Sequence, residues 1–459
     1  MADNINLAEG GGAYYTQDFS LSTLNILTSS GQKFEMRKLL VELSYYEDLY
    51  SFVASGYITL KDSQGFLESL HLTGNEFIEI NFSKIKDGIN SNNQLFRLYK
   101  VGNRAQTGNM NTEYYTFYFC SEELLLSEQT KIGKSYSGQN ISDTIRSIVT
   151  DKLNINNKPL IIEDTVGLYN FIIPKMKPFE AISWLSTYAR PKLTGTIGAD
   201  MLFFETKDGF NFRSIQSMMK DPVYATYKYQ QTNLDDKFQS FQDKTISVLN
   251  FEYVKTYDML KDINSGTYAN RLVSLDTIAR KKTVTDFDYS KYKDNPNIKT
   301  MDGNGVLVTS KNRFGVTQNQ AYESKLKVVA GNSMQGNIEY IKQIPGSVAN
   351  DIAIENYVPL RTAQISLANY IVIKLTIPGD PGITVGRTIN FDLMTLKPST
   401  SKRLLDKFYS GKYMVTAVRH ILQSTGVYQT VLEIAKDSTP NEFNSIDSSS
   451  NSWKEAVKN

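Results

Sequence analysis

The sequence predicts a β-rich protein of the α+β class, built from several domains. The chain has 459 residues, more than one ordinary hydrophobic core holds, so roughly two to four domains are expected. Tyr and Phe, which favour strands and contact surfaces, number 28 and 23, against only 2 Trp. Stretches of alternating apolar and polar residues, separated by turn-forming Asn, Asp and Gly, recur along most of the chain.

The first group of predicted strands lies at residues 18–125, after a flexible leader at residues 1–17. Strands are predicted at residues 34–44, 55–62, 77–82, 95–101 and 114–120, with a short helical turn at residues 66–70. Because no long helix separates these strands, we expect them to pair antiparallel in a barrel or a sandwich.

The pattern changes at residues 126–220, where a small α+β domain is predicted as an insertion. Two helices are indicated by apolar residues at helical spacing, namely Ile141, Ile145, Ile148 and Val149, then Phe179, Ile182, Leu185 and Tyr188. The second helix starts at Pro178 and ends before Pro191, because proline stops propagation. A hairpin at residues 201–205 and 210–215 follows, turning through Asp208-Gly209.

A second β region is predicted at residues 221–440. Its strands are predicted at residues 224–229, 247–253, 270–276, 283–289, 371–377, 387–393, 411–421 and 427–435, with a helix at residues 357–370. Residues 291–345 are polar, so we expect loops or an exposed arm that orders on assembly. The Ser- and Asn-rich tail, residues 441–459, is expected to be flexible. We also expect the two β regions to be distant copies of one fold.

Cysteine and histidine are too few to build a metal or disulfide framework. Cys120 is the single cysteine and ends an aromatic run, so a buried structural thiol is predicted. His71 and His420 lie far apart in the sequence. We therefore predict no catalytic, cofactor-binding or metal-binding residues and no cofactor.

Paired carboxylates are the remaining catalytic candidates, as in a β-rich glycosidase. The pairs are Glu47-Asp48 and Glu122-Glu123. Neighbouring residues of a strand point to opposite faces, which is poor geometry for one catalytic centre. No GxSxG elbow and no phosphate-binding glycine loop is found either. The sequence therefore favours a protein that is not an enzyme.

The charge pattern excludes some partners. Fifty basic residues nearly balance 48 acidic ones, and they are interspersed, so no basic stripe for reading nucleic acid stands out. The basic cluster Arg280-Lys281-Lys282 is interpreted as a solvated strand surface. No apolar stretch is long enough to insert into a membrane, and the polar start is unlike a signal peptide, so synthesis in the cytoplasm is expected.

Several segments resemble the central baseplate hub proteins of contractile-tailed bacteriophages. The first β region carries YYEDLYS at 45–51, SGYITL at 55–60, DSQGFL at 62–67 and TGNE at 73–76. The segment IPKMKPFEAISWL at 173–185 is similar to the stretch that opens the main helix of the inserted domain in that family. The segment GKYMVTAVRH at 411–420 is similar to the closing hairpin of the family's second barrel.

The resemblance implies two tail-tube-like antiparallel β-barrels with an inserted α+β domain. It implies a homotrimeric ring that adapts the hexameric tail tube to the trimeric central spike. The partners implied are the chain itself, the tail tube or tube-initiator protein, the central spike, the tape-measure protein and baseplate wedge proteins. Viral DNA would pass through without sequence-specific binding. The chain lacks the Val-Gly β-helix and the OB-fold segment of the related type VI secretion spikes, so its spike should be a separate polypeptide.

The alternative function is a carbohydrate-binding or adhesin-like β module. Such modules expose Tyr and Trp platforms, and this chain has only Trp184 and Trp453. Trp184 falls on a predicted apolar helix face, which favours core packing over sugar stacking.

Overall fold

The structure is a computed structural model. It describes residues 19–84, 91–106, 112–155, 158–192, 198–229, 246–276, 280–293, 300–301, 304–305, 320–330, 354–394, 405–406 and 408–439. The predicted leader at residues 1–17 and the tail at residues 441–459 lie outside these residues. Within the described parts, no helix is long and apolar enough to cross a membrane.

The described residues of the first β region form seven strands and one short helix. The strands are β1 Phe19–Leu27, β2 Lys33–Glu35, β3 Leu40–Asp48, β4 Ser55–Asp62, β5 Phe77–Lys84, β6 Ser91–Gln106 and β7 Glu113–Cys120, and the helix is α1 Phe66–Leu70. They pair antiparallel in the order β3-β4-β7-β6-β5-β1-β2. The strands predicted at residues 55–62, 77–82, 95–101 and 114–120 are present, and the helical turn is confirmed.

One predicted strand, residues 34–44, is wrong in its bounds. The chain makes a 3-10 turn at Arg37–Leu39, and the second strand runs on to Asp48. Met36 causes the break, because its side chain is fully buried, its backbone is helical and its N–H donates to Leu24 O.

Close packing explains why Gly56 stands in the SGYITL segment of the first region. A Cβ atom on Gly56 would lie 2.3 Å from the Phe119 ring and 2.3 Å from Ser44 O. Only glycine therefore lets β4 approach both its β3 partner and the aromatic core.

In the middle region, eleven short elements are found among the described residues. They are α2 Glu122–Gln129, β8 Ile132–Gln139, α3 Ile141–Lys152, β9 Leu160–Ile162, β10 Thr165–Val166, β11 Tyr169–Met176, α4 Pro178–Ser186, β12 Arg190–Pro191, β13 Met201–Thr206, β14 Gly209–Ser214 and α5 Ile215–Lys220. The first predicted helix and the hairpin are confirmed, whereas the second helix ends earlier than predicted, at Ser186, and Arg190–Pro191 pairs as strand β12 with β10. Trp184 packs edge-on against Phe171 and Tyr188, at 5.9 Å from each ring, so its predicted core role is also confirmed.

The second β region contains the remaining elements. The strands are β15 Val223–Tyr229, β16 Asn250–Lys255, β17 Ala269–Asp276, β18 Lys281–Asp288, β19 Asn304–Gly305, β20 Leu326–Ala330, β21 Ile371–Pro378, β22 Thr388–Leu393, β23 Gly411–Gln423, β24 Tyr428–Lys436 and β25 Ser438–Thr439. The helices are α6 Met259–Ser265, α7 Ser290–Lys293 and α8 Ile354–Ala368. Arg280 and Lys282 are exposed where β18 begins, as expected of a solvated strand.

The prediction that residues 291–345 form loops or an exposed arm is wrong in part. Within it, β20 pairs parallel with β17, so this piece belongs to a three-stranded sheet and not to a loop. Val329 is half-buried against the cluster that contains Tyr357 and Val358, whereas Leu326 and Val328 on the other side of the strand are exposed. Most of the arm lies outside the described residues.

One large sheet joins the two β regions. Its 13 strands run from β16 through β21, β24 and β23 to β3 and the rest of the first region, with β15 and β22 as a branch. Strand β23 pairs antiparallel with β3, from Ala417 opposite Asp48 to Gln423 opposite Glu42. The predicted fold class, mostly β with antiparallel sheets, is confirmed. We call the paired strands β3 and β23 the seam.

Candidate functional site: the seam between the two β regions

The seam presents a core face and a polar face. Because side chains alternate along strands, Tyr45, Glu47 and His420 point into the protein, while Tyr46 and Arg419 point to the other side. The two faces differ in chemistry.

Glu47 connects three parts of the chain on the core face. Its carboxylate accepts hydrogen bonds from Tyr45 OH at 2.9 Å, from Lys207 N at 2.7 Å and from Val385 N at 3.2 Å. Lys207 belongs to the turn of the middle-region hairpin, and Val385 precedes β22. Burial raises the pKa of Glu47 to about 7, although the backbone donors lower it. The side chain therefore fastens the inserted hairpin to both β regions.

His420 lies opposite Tyr45 on the core face and is completely buried. Its ring stacks on Tyr45 at 5.8 Å and meets Phe82 at 5.8 Å, and its Nδ1 lies 2.8 Å from Tyr428 OH. Burial, together with the charge of Lys207, lowers the pKa of His420 to about 3, so the imidazole is neutral at physiological pH. It acts as a polar aromatic of the core.

The two histidines are not brought together. His71 is exposed at the end of α1, whereas His420 is inside the sheet. Among the residues that the structure describes, no three His, Cys, Asp or Glu side chains are grouped to hold a metal ion. The expectation of no catalytic, cofactor or metal residues remains a prediction.

The polar face of the seam carries an ordered network centred on Arg419. Its guanidinium donates to Tyr57 OH at 2.9 Å, to Ser44 Oγ at 3.1 Å and to Glu42 at 3.3 Å. Tyr57 OH in turn donates to Glu42 at 2.6 Å, and the guanidinium lies over the Tyr46 ring at 5.3 Å. The network bridges β23, β3 and β4 and so stabilises the seam.

A row of tyrosines extends from this network across the first β region. The centroids of Tyr46 and Tyr57 are 6.2 Å apart, those of Tyr57 and Tyr118 are 6.2 Å apart, and those of Tyr118 and Tyr99 are 6.4 Å apart. Successive rings are tilted by 40°, 52° and 49°. Tilted rings do not form the flat platform on which a sugar stacks, so this surface does not favour the carbohydrate-binding alternative.

A groove of about 690 Å³ crosses the polar face from β3 to β16. It is lined by charged residues, among them Asp48, Arg419, Glu433, Lys374 and Glu252. We call it the seam groove.

A second buried network joins the middle region to the first β region. The carboxylate of Glu205 accepts hydrogen bonds from Ser121 Oγ at 2.5 Å, Ala54 N at 2.8 Å and Lys158 Nζ at 2.7 Å. Lys158 also donates to Glu123 at 2.9 Å. Burial raises the pKa of Glu205.

The carboxylate pairs singled out in the sequence are separated in the structure. Glu47 is buried, while Asp48 is exposed and accepts from Tyr50 N at 2.7 Å. Glu123 forms an ion pair with Lys158, while Glu122 forms one with Arg97. Neither pair converges on one reacting atom, so the paired-carboxylate geometry of a glycosidase is not formed.

The predicted burial of Cys120 is confirmed. Only 2% of the residue is exposed, and burial raises the pKa of its thiol to about 12. It acts as a small core side chain.

Sequence reasoning missed Glu47 and Glu205 as organising residues. A signal for Glu47 was present, because it continues the core alternation of Leu43 and Tyr45 as a carboxylate. A charged residue at a core position needs several partners, and those partners come from distant parts of the chain.

Solved structures of other proteins share this fold. The structure is similar to a tail protein from Neisseria meningitidis MC58, with a TM-score of 0.51 and 11% identity over 92% of this chain and 98% of that one. It is similar to the 43 kDa tail protein of prophage MuSo2 from Shewanella oneidensis, with a TM-score of 0.51 and 7% identity over 91% and 99%. The chain therefore shares its fold with these two tail proteins.

The sequence comparison is more specific. The chain is 24% identical over 411 residues to a probable baseplate hub protein of the Vibrio phage KVP40, covering 88% of this chain and 90% of the relative. No family model matches the chain. The resemblance to a baseplate hub, predicted from the motifs, is confirmed.

Proposed function

We propose that this chain is the structural hub of a contractile-tail baseplate, and that three copies form a ring between the tail tube and the central spike. One observation carries this. Two β regions are joined edge to edge across the seam, in a chain similar to a baseplate hub along nearly its whole length. Three chains with two β regions each offer six tube-like positions around a threefold axis, which fits a hexameric tube on one side and a trimeric spike on the other.

The proposed partners are a second and third copy, the tail tube or its initiator, the spike, the tape-measure protein and the wedge proteins. Viral DNA passes through the assembly without sequence-specific binding. The hub lies in the virion baseplate and is assembled in the host cytoplasm.

The domain boundaries predicted from the sequence belong to this proposal. They assign residues 18–125 and 221–440 to the two barrels and residues 126–220 to the insertion. The buried carboxylates of Glu47 and Glu205 support it, since each fastens the insertion to a β region. The proposed role is non-enzymatic, as both carboxylates are occupied in structural networks.

The test is the mass of the purified protein in solution, measured by light scattering over a concentration series. We expect a species with three times the 51.9 kDa chain mass, and threefold particles with six lobes in electron micrographs. A chain that stays monomeric at every concentration would overturn the ring. A wall-lysis assay is the control for function, because clear lytic activity would refute the structural role.

A further inference from the structure

Among the described residues, the large sheet has several open edges, and two of them are strand β16 and part of strand β6. Strand β16 ends the sheet and pairs with β21 alone among the described residues. Strand β6 is 16 residues long, but β5 pairs with it only from Ser91 to Arg97, whereas β7 follows it to Gln106. Residues 99–106 of β6 therefore form a second open edge within the described part of the chain. Unpaired backbone N–H and C=O groups on such edges are templates for another strand.

Both edges expose apolar side chains next to the open backbone. On β16 the exposed fractions are 43% for Tyr253 and 53% for Val254. On β6 they are 51% for Tyr99 and 38% for Val101. Exposed apolar side chains beside open backbone groups are typical of an interface.

The β16 edge is acidic on the polar face of the sheet. Glu252 lies in a cross-strand row with Lys374, Glu433, Ala417 and Asp48, which places it on the same face as the seam groove. The carboxylate of Glu252 has no salt-bridge partner among the described residues.

The β6 edge is basic on that same face. Lys100 lies in a row with Tyr118, Tyr57 and Ser44, and Ser44 contacts the Arg419 network of the polar face. Its ammonium lies 5.1 Å from the centre of the Tyr118 ring, and in the part of the chain that is described it pairs with no carboxylate. The two edges are thus opposite in charge and present that charge on the same side of one sheet.

The geometry points to strand pairing between copies, in which β16 of one chain adds to residues 99–106 of β6 in the next, with Glu252 beside Lys100. This inference rests on the proposed ring and names the surface that builds it. The contact joins two different surfaces head to tail, and such contacts close into a cyclic ring when the rotation allows. A second copy is the fitting occupant, because every chain carries both the acidic edge and its basic complement, and pairing them keeps the polar face continuous.

Cysteine cross-linking tests the contact directly. The double variant Glu252→Cys with Lys100→Cys introduces two thiols, while the native Cys120 is buried. After mild oxidation we expect covalent dimers and trimers on non-reducing gels. The matched control combines Glu252→Cys with Lys61→Cys, since Lys61 is exposed on the same face but lies on β4, which is paired on both sides. The control should give monomers only.

Charge reversal gives a second readout that needs no oxidation. Either Glu252→Lys or Lys100→Glu alone should raise the protein concentration below which the ring dissociates, by a factor of at least ten. The two substitutions together should bring that concentration back to within about threefold of the wild-type value. Light scattering on the same samples separates the outcomes. If the trimer mass is present but the cysteine pair does not cross-link, or single reversals change nothing, this contact is refuted and the ring stands. If no trimer forms, the proposed ring fails and the contact with it.

Discussion

The buried carboxylate of Glu47 makes the stability of this protein depend on pH in a defined direction. Burial raises its pKa from 4.5 to about 7. Between these values the folded chain keeps the proton and the unfolded chain releases it. The stabilisation is therefore fully present below pH 4.5 and is lost as the pH rises through 7. At about 1.4 kcal/mol per pH unit, the loss amounts to about 3 kcal/mol.

Replacing Glu47 by Gln removes this titration. The variant keeps one side-chain oxygen, but its amide N–H₂ group faces the backbone N–H of Lys207 or Val385. That buried N–H therefore loses its acceptor, which lowers the free energy of unfolding by about 1–3 kcal/mol at every pH. The variant should therefore be the less stable protein at pH 5 and should recover about 3 kcal/mol relative to wild type by pH 8.

The assay is denaturant unfolding of both proteins at pH 5, 6, 7 and 8, followed by circular dichroism. Glu68→Gln is the control, because that side chain is 74% exposed. Parallel stability profiles for wild type and Glu47→Gln would refute the linkage, since they would show that Glu47 releases its proton at the same pH in both states.

Three further predictions concern packing, a buried ion pair and thiol reactivity. Gly56→Ala should destabilise the protein by more than about 2 kcal/mol, because its Cβ meets backbone that cannot move, whereas Gly102→Ala should be tolerated, and thermal unfolding compares the two. Lys158→Met should cost about 3 kcal/mol in denaturant unfolding, since two carboxylates lose their cation, while Lys177→Met at a surface pair should leave the midpoint unchanged. Cys120 should resist thiol reagents at pH 8 in the folded protein and react fully after denaturation; stoichiometric labelling of the native chain would contradict its burial.

The local elements were predictable where a periodic pattern ended in a strong turn signal. Strand β4 and helix α1 were predicted with the bounds the structure gives, because SGYITLKD alternates cleanly and DSQG turns the chain. Helix α2 was missed, since EELLLSEQ has no clear apolar face and its ends carry no proline or glycine. Strand β20 was missed because its short run of apolar residues sits in a polar segment and gains its pairing only from β17.

The candidate site was not predictable in the same way. The seam depends on pairing between Ser44 and Ile421, and the register of such distant strands leaves no local signature in the sequence. The partners of Glu47 are backbone N–H groups, which any residue can supply, so their positions cannot be read from residue types. Burial of a carboxylate among alternating core residues was the one visible clue.

The seam also sets an order of events during synthesis. The partner of strand β3 is β23, and the hydrogen bond between Arg419 and Ser44 spans 375 positions of the chain. At about 5–20 residues per second, a ribosome needs roughly 20 seconds or more between making the two strands. During that interval the nascent first region holds β3 without its final neighbour and is open to pairing with another nascent chain. Its fate in the cell therefore depends on how quickly translation delivers the far strand, a kinetic constraint that the finished sheet no longer shows.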